Sequence, residues 1–472
     1  MTRLVASLSI AFFVAGAAGC GGDEEACDPA ARSGCDDGLV CEVVMGGEPA
    51  CFSPVVLRGQ VFDLADGGAI EGARVVALDV NRAPQSSVAV TDVDGNYELS
   101  IPTVRDTDGN IIGTNLTLRA DAAGYQTFPS GLRQAIAVAT QDAADKDGKW
   151  VIESPLTKIG LIELGADAGT GIIRGNVDIP DDHNGVMVVA ETSSGSGSAT
   201  GFAAIADRDG DYAIFNLPDG GYTVTGYARG SVYEAVDADV TGGQETTVDL
   251  ALTGDAPATL SGKVAIVNPG AGSGTSVILV VASTFDPVLK RGETPPGMRA
   301  PAPGTAPDVT GNFTIDGVPP GDYAILAAFE NDFLVRDPDT CIAGTDVVFQ
   351  TFASGDDLVL DESFKVTGAL DVLAPGADGA EQVTGTPTFT WADDSSEDGY
   401  ALTVFNSFGE IIWETTIAGT SGSDPEVVYA GPPLEAGQYY QYRVVSTKAS
   451  GTEACELSQT EDLKGVFYLP AQ

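Results

Sequence analysis

At 472 residues the chain is too long for one hydrophobic core, and about 150 residues per domain predicts about three domains. Its 68 acidic and 23 basic residues give a formal net charge of -45, which repels nucleic acid and the anionic face of a membrane alike. We therefore expect no nucleic-acid partner. With 43% apolar residues, the composition indicates a folded protein with a solvated acidic surface rather than a disordered chain.

Residues 1–19 are predicted to be an export signal. Arg3 precedes the uncharged run "LVASLSIAFFVAGAAGC", whose apolar part is too short to span a membrane and is typical of a secretory signal. The run ends in "AAGC", which resembles the bacterial lipobox. This resemblance implies that Cys20 is acylated and anchors the protein in the cell envelope, at the outer membrane or the cell surface. The lipobox usually has leucine where Ala17 stands, and residues 15–17 also fit ordinary secretory cleavage, so secretion without lipid is the alternative.

Seven cysteines are present: Cys20, Cys27, Cys35, Cys41, Cys51, Cys341 and Cys455. If the first carries lipid, an even six remain for disulfides in an oxidising compartment. The next four follow C-x7-C-x5-C-x9-C spacing in a segment with little to bury, so we predict a tether and disulfide-rich segment over residues 20–54. Zinc is the rival, although the segment has no C-x-x-C pair. Of the three possible pairings we choose Cys27 with Cys41 and Cys35 with Cys51, which leaves the last two cysteines to pair with each other.

The rest of the chain has the pattern of short β-strands. Apolar residues alternate with period two in runs bounded by Gly, Pro, Asp and Asn, and no segment has a sustained helical period, which predicts an all-β fold. Three similar strands recur, "VLRGQV" from Val56, "IIRGNV" from Ile172 and "TLSGKV" from Thr259. Each is followed by an Asp-Gly string: "DVDGNY" from Asp92, "DRDGDY" from Asp207 and "DVTGNF" from Asp308. The chain therefore contains three internal repeats.

These strands, the Asp-Gly strings and turns such as "LPDGGYTV" resemble the carboxypeptidase regulatory-like domain family. The resemblance covers residues 55–168, 169–255 and 256–370 as three copies. It implies transthyretin-like β-sandwiches, which are grouped with carbohydrate-binding-like folds and usually serve as non-catalytic modules. Residues 371–472 resemble a fibronectin type III domain, with Trp391 on an early strand and Tyr440 on a late one. We expect tandem β-sandwiches arranged as a string.

The Asp-Gly strings are predicted to be tight turns. They fail the EF-hand pattern because glycine is fourth rather than sixth, whereas Asp-Gly between alternating strands predicts a β-hairpin with a type I′ turn and positive φ at both central residues. Calcium remains the alternative, at acidic tips that are otherwise solvated. The candidate ligands are Asp92 with Asp94, Asp106 with Asp108, and Asp145 with Asp147. No other cofactor is predicted.

Catalytic patterns are sparse in the sequence. The single histidine, His183, lies in "PDDHNG", which reads as an exposed turn rather than part of a triad. Carboxylates are too numerous for a glycosidase pair to be chosen. Trp391 and Trp413 are expected in a core, which leaves Trp150 as the candidate for stacking on a sugar.

The expected function is therefore non-enzymatic. We expect an envelope lipoprotein that displays β-sandwiches for adhesion to, or binding of, a surface polysaccharide or an envelope protein. The alternatives are a carbohydrate-binding protein and, in another class, an envelope hydrolase that uses paired carboxylates.

Overall fold

The computed structural model describes most of the chain after residue 26. The described residues are 27–29, 34–36, 38–79, 82–130, 133–146, 148–166, 168–180, 185–192, 200–266, 275–287, 291–301, 309, 311–328, 334–336, 347–394, 396–420, 422–450 and 453–471. Their regular structure is almost entirely strand, so the fold class is all-β, as predicted. The helices among them are three 3-10 turns, Thr140–Asp142, Pro155–Thr157 and Ala282–Thr284. Within these ranges no helix is long and apolar enough to cross a membrane.

The N-terminal segment and the first sandwich share a sheet. The segment forms an antiparallel pair, β1 (Val40–Val44) and β2 (Ala50–Phe52). Sandwich 1 contains β3 (Val55–Asp63), β4 (Arg74–Leu78), β5 (Ala89–Val90), β6 (Asn96–Ile101), β7 (Val104–Arg105), β8 (Ile111–Ile112), β9 (Asn115–Asp121), β10 (Tyr125–Gln126), β11 (Val138–Ala139), β12 (Ala144–Lys146), β13 (Lys149–Ile152) and β14 (Lys158–Glu163). One of its sheets is built around β3 and the other has the order β11-β9-β4-β5, while β7 and β8 extend the N-terminal pair to β2-β1-β7-β8.

Sandwiches 2 and 3 repeat the architecture of sandwich 1. Sandwich 2 contains β15 (Gly171–Asn176), β16 (Met187–Thr192), β17 (Gly201–Ile205), β18 (Asp211–Leu217), β19 (Gly220–Tyr227), β20 (Val236–Val240) and β21 (Glu245–Thr247). Sandwich 3 contains β22 (Ala258–Ile266), β23 (Ser276–Val281), β24 (Arg299–Ala300), β25 (Asn312–Val318), β26 (Gly321–Ala328), β27 (Leu334–Arg336), β28 (Val347–Phe352) and β29 (Asp357–Gly368). The facing sheets are β18-β15-β21 with β17-β16-β19-β20, and β25-β22-β29-β27 with β24-β23-β26-β28.

Sandwich 4 follows directly from β29. Its strands are β30 (Val372–Ala374), β31 (Glu381–Gln382), β32 (Thr388–Trp391), β33 (Gly399–Asn406), β34 (Ile411–Ala418), β35 (Glu426–Val428), β36 (Tyr439–Ser450), β37 (Glu453–Gln459) and β38 (Val466–Tyr468). A three-stranded sheet β30-β32-β35 faces a larger sheet β31-β38-β36-β33-β34, with β37 beside β36. The core between them contains Trp391, Tyr400 and Tyr442, all nearly inaccessible to solvent.

The glycine of each repeated "G-x-V" strand is coupled to the aromatic residue after the Asp-Gly string. Gly59 lies opposite Tyr97 across β3 and β6, and a Cβ there would collide with the tyrosine ring. The Tyr97 hydroxyl donates to the Thr157 carbonyl at 2.7 Å, and in sandwich 2 Tyr212 donates to Val248 at the same distance. In the first repeat, glycine therefore makes room for a buried ring whose hydroxyl bonds to the backbone beyond the next strand.

The Asp-Gly turns differ from the predicted type I′ hairpins. Of the turn residues after Asp92, only Gly95 has positive φ, 75°. The Asp92 side chain caps the turn, because its Oδ1 accepts from the backbone N–H of Asp94 and of Asn96. This is a type I turn followed by a left-handed glycine. Since β5 and β6 belong to opposite sheets, the turn is a corner between sheets rather than a hairpin, and the turn from Asp207 has the same position and bonds.

The sandwiches pack against one another, so the expected string arrangement is wrong. Between sandwiches 2 and 3, the Gly230 N–H donates to the Gly317 carbonyl at 2.7 Å. Between sandwiches 1 and 4, the rings of Phe62 and Phe408 meet edge to face with centroids 5.6 Å apart. One apolar cluster also runs through three sandwiches: Val76 and Leu78 come from the first, Met187 and Val189 from the second, and Leu279 and Tyr323 from the third. The sheets that carry these residues are buried on both faces. In a string of separate sandwiches, the outer face of each sheet would be exposed to solvent.

Candidate functional site

The described cysteines form the pairs chosen from the sequence. Cys27 is bonded to Cys41, with their Cα atoms 5.4 Å apart, and Cys35 to Cys51, at 5.7 Å. The bridges lie side by side, which brings the sulfurs of Cys27, Cys35 and Cys51 together. Sulfurs in disulfides are not the thiolates that zinc requires, so the rival zinc interpretation is wrong for these residues. Cys455 is also disulfide-bonded. Its predicted partner Cys341, and the lipidation candidate Cys20, lie outside the described residues.

A buried ion pair fixes the disulfide segment to sandwich 1. Arg105 of β7 and Glu42 of β1 are bonded at 2.7 Å, and their side chains are 2% and 1% exposed. The Glu42 carboxylate also accepts from the Thr103 N–H, while Arg105 donates to the Ser53 carbonyl and lies over the ring of Phe52. Residues 103–105 of sandwich 1 thus supply the docking site for the segment.

The calcium candidates are turn caps in the structure. Asp106 accepts from the backbone N–H groups of Asp108 and Asn110 and from the Asn110 amide, as Asp92 does in its own turn. The hydrogen bonds from Asn110 hold the pKa of Asp106 below its usual value. The structure brings no three carboxylates within ligand distance among the residues it describes. Asp145 caps the β12–β13 turn through the Gly148 N–H, and its predicted partner Asp147 lies outside the described residues.

The aromatic candidates occupy the expected kinds of environment. Trp391 is fully buried against Tyr400, and Trp413 packs on the same core, as predicted. Trp150 on β13 is 38% exposed, so its ring is partly accessible to solvent. His183 lies outside the described residues.

A polar cavity of about 260 Å³ lies where the first three sandwiches meet. We call it the junction cavity. Four arginines line it: Arg82, Arg119, Arg133 and Arg291. Three acidic residues line it as well: Asp121, Asp286 and Glu293. The charged lining has a balance of four positive to three negative, whereas the whole chain has 23 basic residues to 68 acidic ones. Basic residues are therefore strongly concentrated at this site.

Arg119 joins the three sandwiches around the cavity. Its guanidinium forms a bidentate pair with Asp121, at 2.8 and 3.2 Å, and a close ion pair with Glu293 of sandwich 3. It also donates to the Ala203 carbonyl of sandwich 2 at 2.9 Å. Burial by itself would lower the pKa of Arg119, but the two carboxylates outweigh it and raise that pKa above its usual value. Arg119 therefore remains a permanent charge in the wall.

Arg133 is buried without an ion-pair partner among the described residues. It is 8% exposed and donates to the carbonyls of Gly160, at 2.6 Å, and Phe408, at 3.1 Å. Its guanidinium lies 4.7 Å from the ring centre of Phe128, and its Nη1 is buried without a hydrogen-bond partner. Burial lowers the pKa of Arg133. The same part of the wall holds the Ser130 hydroxyl, which is also buried and unbonded within the described chain.

Backbone strain is also concentrated at the cavity. The described chain has two non-glycine residues with positive φ, Arg82 at 66° and Asn216 at 62°, and both line the cavity. Asn216 has a structural role, since its amide donates to two carbonyls of sandwich 1 and accepts from the Gly124 N–H. Arg82 stands where the Asp-capped turns have glycine: its N–H bonds to the Asp79 carbonyl, as Gly95 bonds to Asp92. Its side chain makes no ion pair or hydrogen bond among the described residues.

Sequence reasoning missed the junction cavity because its walls come from three separate repeats. One signal was present, however. "DVNRA" from Asp79 copies the pattern of "DVDGN" from Asp92, with Arg82 in the place of Gly95. A charged residue at a left-handed glycine position is costly for the backbone, so the substitution marks a position that deserves a functional test.

The comparisons with known proteins identify no family. No family model matches the sequence, and no curated protein does. Solved structures with local similarity include the Bacillus anthracis TIE protein, at 11% identity and a TM-score of 0.15, with 88% of this chain and 73% of that chain covered. A streptococcal ancillary pilin is 13% identical, with a TM-score of 0.15, and the match covers 66% of this chain and 98% of the pilin. The minor pilin GBS52 of Streptococcus agalactiae is 14% identical, with a TM-score of 0.18, and the match covers 43% of this chain and 98% of the pilin. With such low TM-scores, these similarities carry no argument about this chain.

Proposed function

We propose that this chain is a non-enzymatic lipoprotein of a bacterial cell envelope, whose packed sandwiches bind a surface polysaccharide or an envelope protein. Residues 1–19 direct its export and Cys20 carries the lipid. The junction cavity is the proposed recognition site. The observation that carries this proposal is that three sandwiches jointly build a polar, arginine-lined cavity in an otherwise strongly acidic chain.

The arrangement of charges supports binding rather than hydrolysis. A glycosidase needs one carboxylic acid that keeps its proton for the leaving group. In the junction cavity, Asp121 and Glu293 are both bonded to Arg119, and Asp121 also accepts from the Thr127 hydroxyl. These two carboxylates hold the walls together and neither is placed as a proton donor, so Asp286, the third carboxylate of the lining, has no free second carboxylate to pair with in the cavity.

Carbohydrate recognition is the form of binding that the lining favours. Phe202 and Phe215 bring aromatic surface to the cavity, next to the hydroxyls of Thr127, Ser130 and Thr284. Aromatic faces stack on sugar rings, and hydroxyl and amide groups exchange hydrogen bonds with sugar hydroxyls. Polysaccharide is therefore preferred over protein as the partner.

The function is tested by retention on envelope material. Purified full-length protein in detergent is passed over envelope glycans and extracellular matrix fractions, and both retention and released product are measured. We expect retention without cleavage. Product release that is lost only when an Asp or Glu is changed would establish the hydrolase alternative, and absence of retention on every fraction would contradict the binding function.

Anchoring is tested separately by cell fractionation. The Cys20→Ser variant is expected to leave the membrane fraction, because it removes the only thiol that the lipobox resemblance offers for acylation. Ala17→Leu, which brings the sequence closer to the usual lipobox, is the matched control and should remain membrane-bound. Persistence of Cys20→Ser in the membrane fraction contradicts lipidation at Cys20.

A further inference from the structure

We propose that the junction cavity binds an acidic sugar through its carboxylate, with Arg82, Arg133 and Ser130 as the recognition groups. This inference rests on the proposed binding function and specifies its ligand. Arg133 Nη1 and Ser130 Oγ are buried donors without partners among the described residues. Buried polar groups are nearly always hydrogen-bonded, and of the ten described buried atoms that lack a partner these two belong to residues that line the cavity. A ligand's acceptor would supply the bond that each of them lacks.

The strain at Arg82 gives an independent reason. Its backbone is in the left-handed region, where L-residues other than glycine are disfavoured by about 1–2 kcal/mol, and its side chain has no polar partner within the described residues. Asn216, the other residue of this kind, offsets its strain with three hydrogen bonds between sandwiches. Backbone strain that no stabilising side-chain contact offsets is typical of functional positions. Arg82 is such a position, and it lines the cavity.

Size and charge select the class of ligand. Pockets for drug-sized ligands occupy roughly 300–1,000 Å³, so a cavity of 260 Å³ suits a smaller ligand, such as the terminal ring of a sugar chain, and is larger than a bare phosphate or sulfate needs. Arginine pairs with a carboxylate through two parallel hydrogen bonds. The acidic groups Asp121, Asp286 and Glu293 in the same wall disfavour a multiply charged anion. A single carboxylate on a hydroxylated ring fits all of these features.

The test compares three probes by calorimetric titration of the full-length protein in detergent. The first is a disaccharide that ends in glucuronate, the second is the same disaccharide with glucose in place of glucuronate, and the third is inorganic sulfate. We expect binding of the glucuronate disaccharide alone. Equal binding of the neutral disaccharide removes the role of the carboxylate, and equal or tighter binding of sulfate shows a general anion site; either result overturns the proposal.

Variants connect binding to the cavity. Arg82→Gln should weaken glucuronate binding about tenfold, the value of a charge-assisted hydrogen bond. Ser130→Ala should weaken it about fivefold without lowering the melting temperature, because the Ser130 hydroxyl makes no hydrogen bond to any of the residues that the structure describes. Arg58→Gln is the matched control, because this substitution removes the same charge outside the cavity. The Arg58 side chain is partly exposed on sandwich 1 and is paired with Glu98.

The outcomes separate the inference from the proposed function. Unchanged glucuronate affinity in both cavity variants, or an equal loss in Arg58→Gln, overturns the assignment to this cavity even when the protein is still retained by envelope glycans. No glucuronate binding together with retention by neutral glycans overturns the acidic ligand and leaves the binding function standing. No retention on any material and no binding of the disaccharide removes both.

Discussion

Replacing Arg82 by glycine should stabilise the protein while it weakens ligand binding. Arg82 occupies the left-handed position of a turn whose partners are Asp79 and Ala83: the Asp79 N–H donates to the Ala83 carbonyl at 2.8 Å, and the Ala83 N–H to the Asp79 carboxylate at 2.9 Å. The equivalent turn from Asp92 has Gly95 in this place. Glycine adopts positive φ without steric cost, so Arg82→Gly keeps the turn and removes the strain.

The magnitude follows from two opposing terms. A left-handed backbone costs an L-residue about 1–2 kcal/mol, while glycine loses roughly 0.5–1 kcal/mol more conformational entropy on folding. The net gain in the free energy of unfolding is therefore about 0.5–1 kcal/mol. Arg82→Ala is the control, because it removes the same side chain and keeps a Cβ at φ 66°. The glycine variant should exceed the alanine variant in stability, which isolates the backbone term from the loss of the guanidinium.

Differential scanning calorimetry and urea titration measure the difference. A stability gain of this size raises the melting temperature by about 4 °C if sandwich 1 unfolds alone and by about 1 °C if the packed sandwiches unfold together. The same glycine variant should lose glucuronate affinity by about tenfold, like Arg82→Gln. An Arg82→Gly variant no more stable than Arg82→Ala would refute the strain argument, and unchanged binding in a stabilised variant would refute the functional reason for the strain.

Three further changes test other parts of the structure. Glu42→Ala should lower the stability of the disulfide segment by about 3–5 kcal/mol, since it leaves the Arg105 charge buried and unpaired, and a Glu42→Leu/Arg105→Leu double variant should cost less; hydrogen exchange in the segment measures both. Asp92→Ala should cost about 1–2 kcal/mol of turn capping in denaturant titration, and chelator should leave the melting curve of the unmodified protein unchanged; a lower melting temperature in chelator would support the calcium alternative. Asn216→Ala should cost about 3 kcal/mol for three hydrogen bonds, and Asn216→Gly about 0.5–1 kcal/mol less, as judged by calorimetry; equal losses would contradict strain at this position.

The local structure was predictable because it depends on short-range patterns. Alternation along residues 96–101 puts Tyr97, Leu99 and Ile101 on one face of a strand, and that face is the buried one. Parity and composition predicted the disulfide segment. The turn type was predicted wrongly because Asp-Gly is compatible with two turns, and the choice depends on whether the next strand pairs with the previous one or crosses to the opposite sheet. That choice depends on the topology of the sandwich and not on the Asp-Gly sequence itself.

The packing of the sandwiches was missed, although part of the sequence indicated it. Residues 75–78 and 277–281 are continuous apolar runs rather than alternating ones, which is the pattern of strands buried on both faces. Such runs in a presumed two-layer sandwich imply that something covers the outer face. The covering element cannot be named from one sequence, because the contacts join residues of different sandwiches, such as Gly230 with Gly317 and Phe62 with Phe408. The junction cavity depends on this packing, and so it could not be derived before the sandwiches were placed together.

The overall negative charge of the chain predicts how the affinity of the cavity for glucuronate depends on salt. At low salt the net charge of -45 repels an anionic ligand over a Debye length of about 30 Å at 0.01 M, whereas at 0.1 M this length falls to about 10 Å. The contacts of the carboxylate with Arg82 and Arg133 lie inside the protein and are screened much less. Glucuronate affinity should therefore rise as salt increases from 0.01 to 0.1 M, opposite to the weakening that salt causes in surface ion pairs. Titration across this range decides the matter: affinity that falls steadily with salt would mean that the ligand binds exposed basic groups, and it would place the site outside the junction cavity.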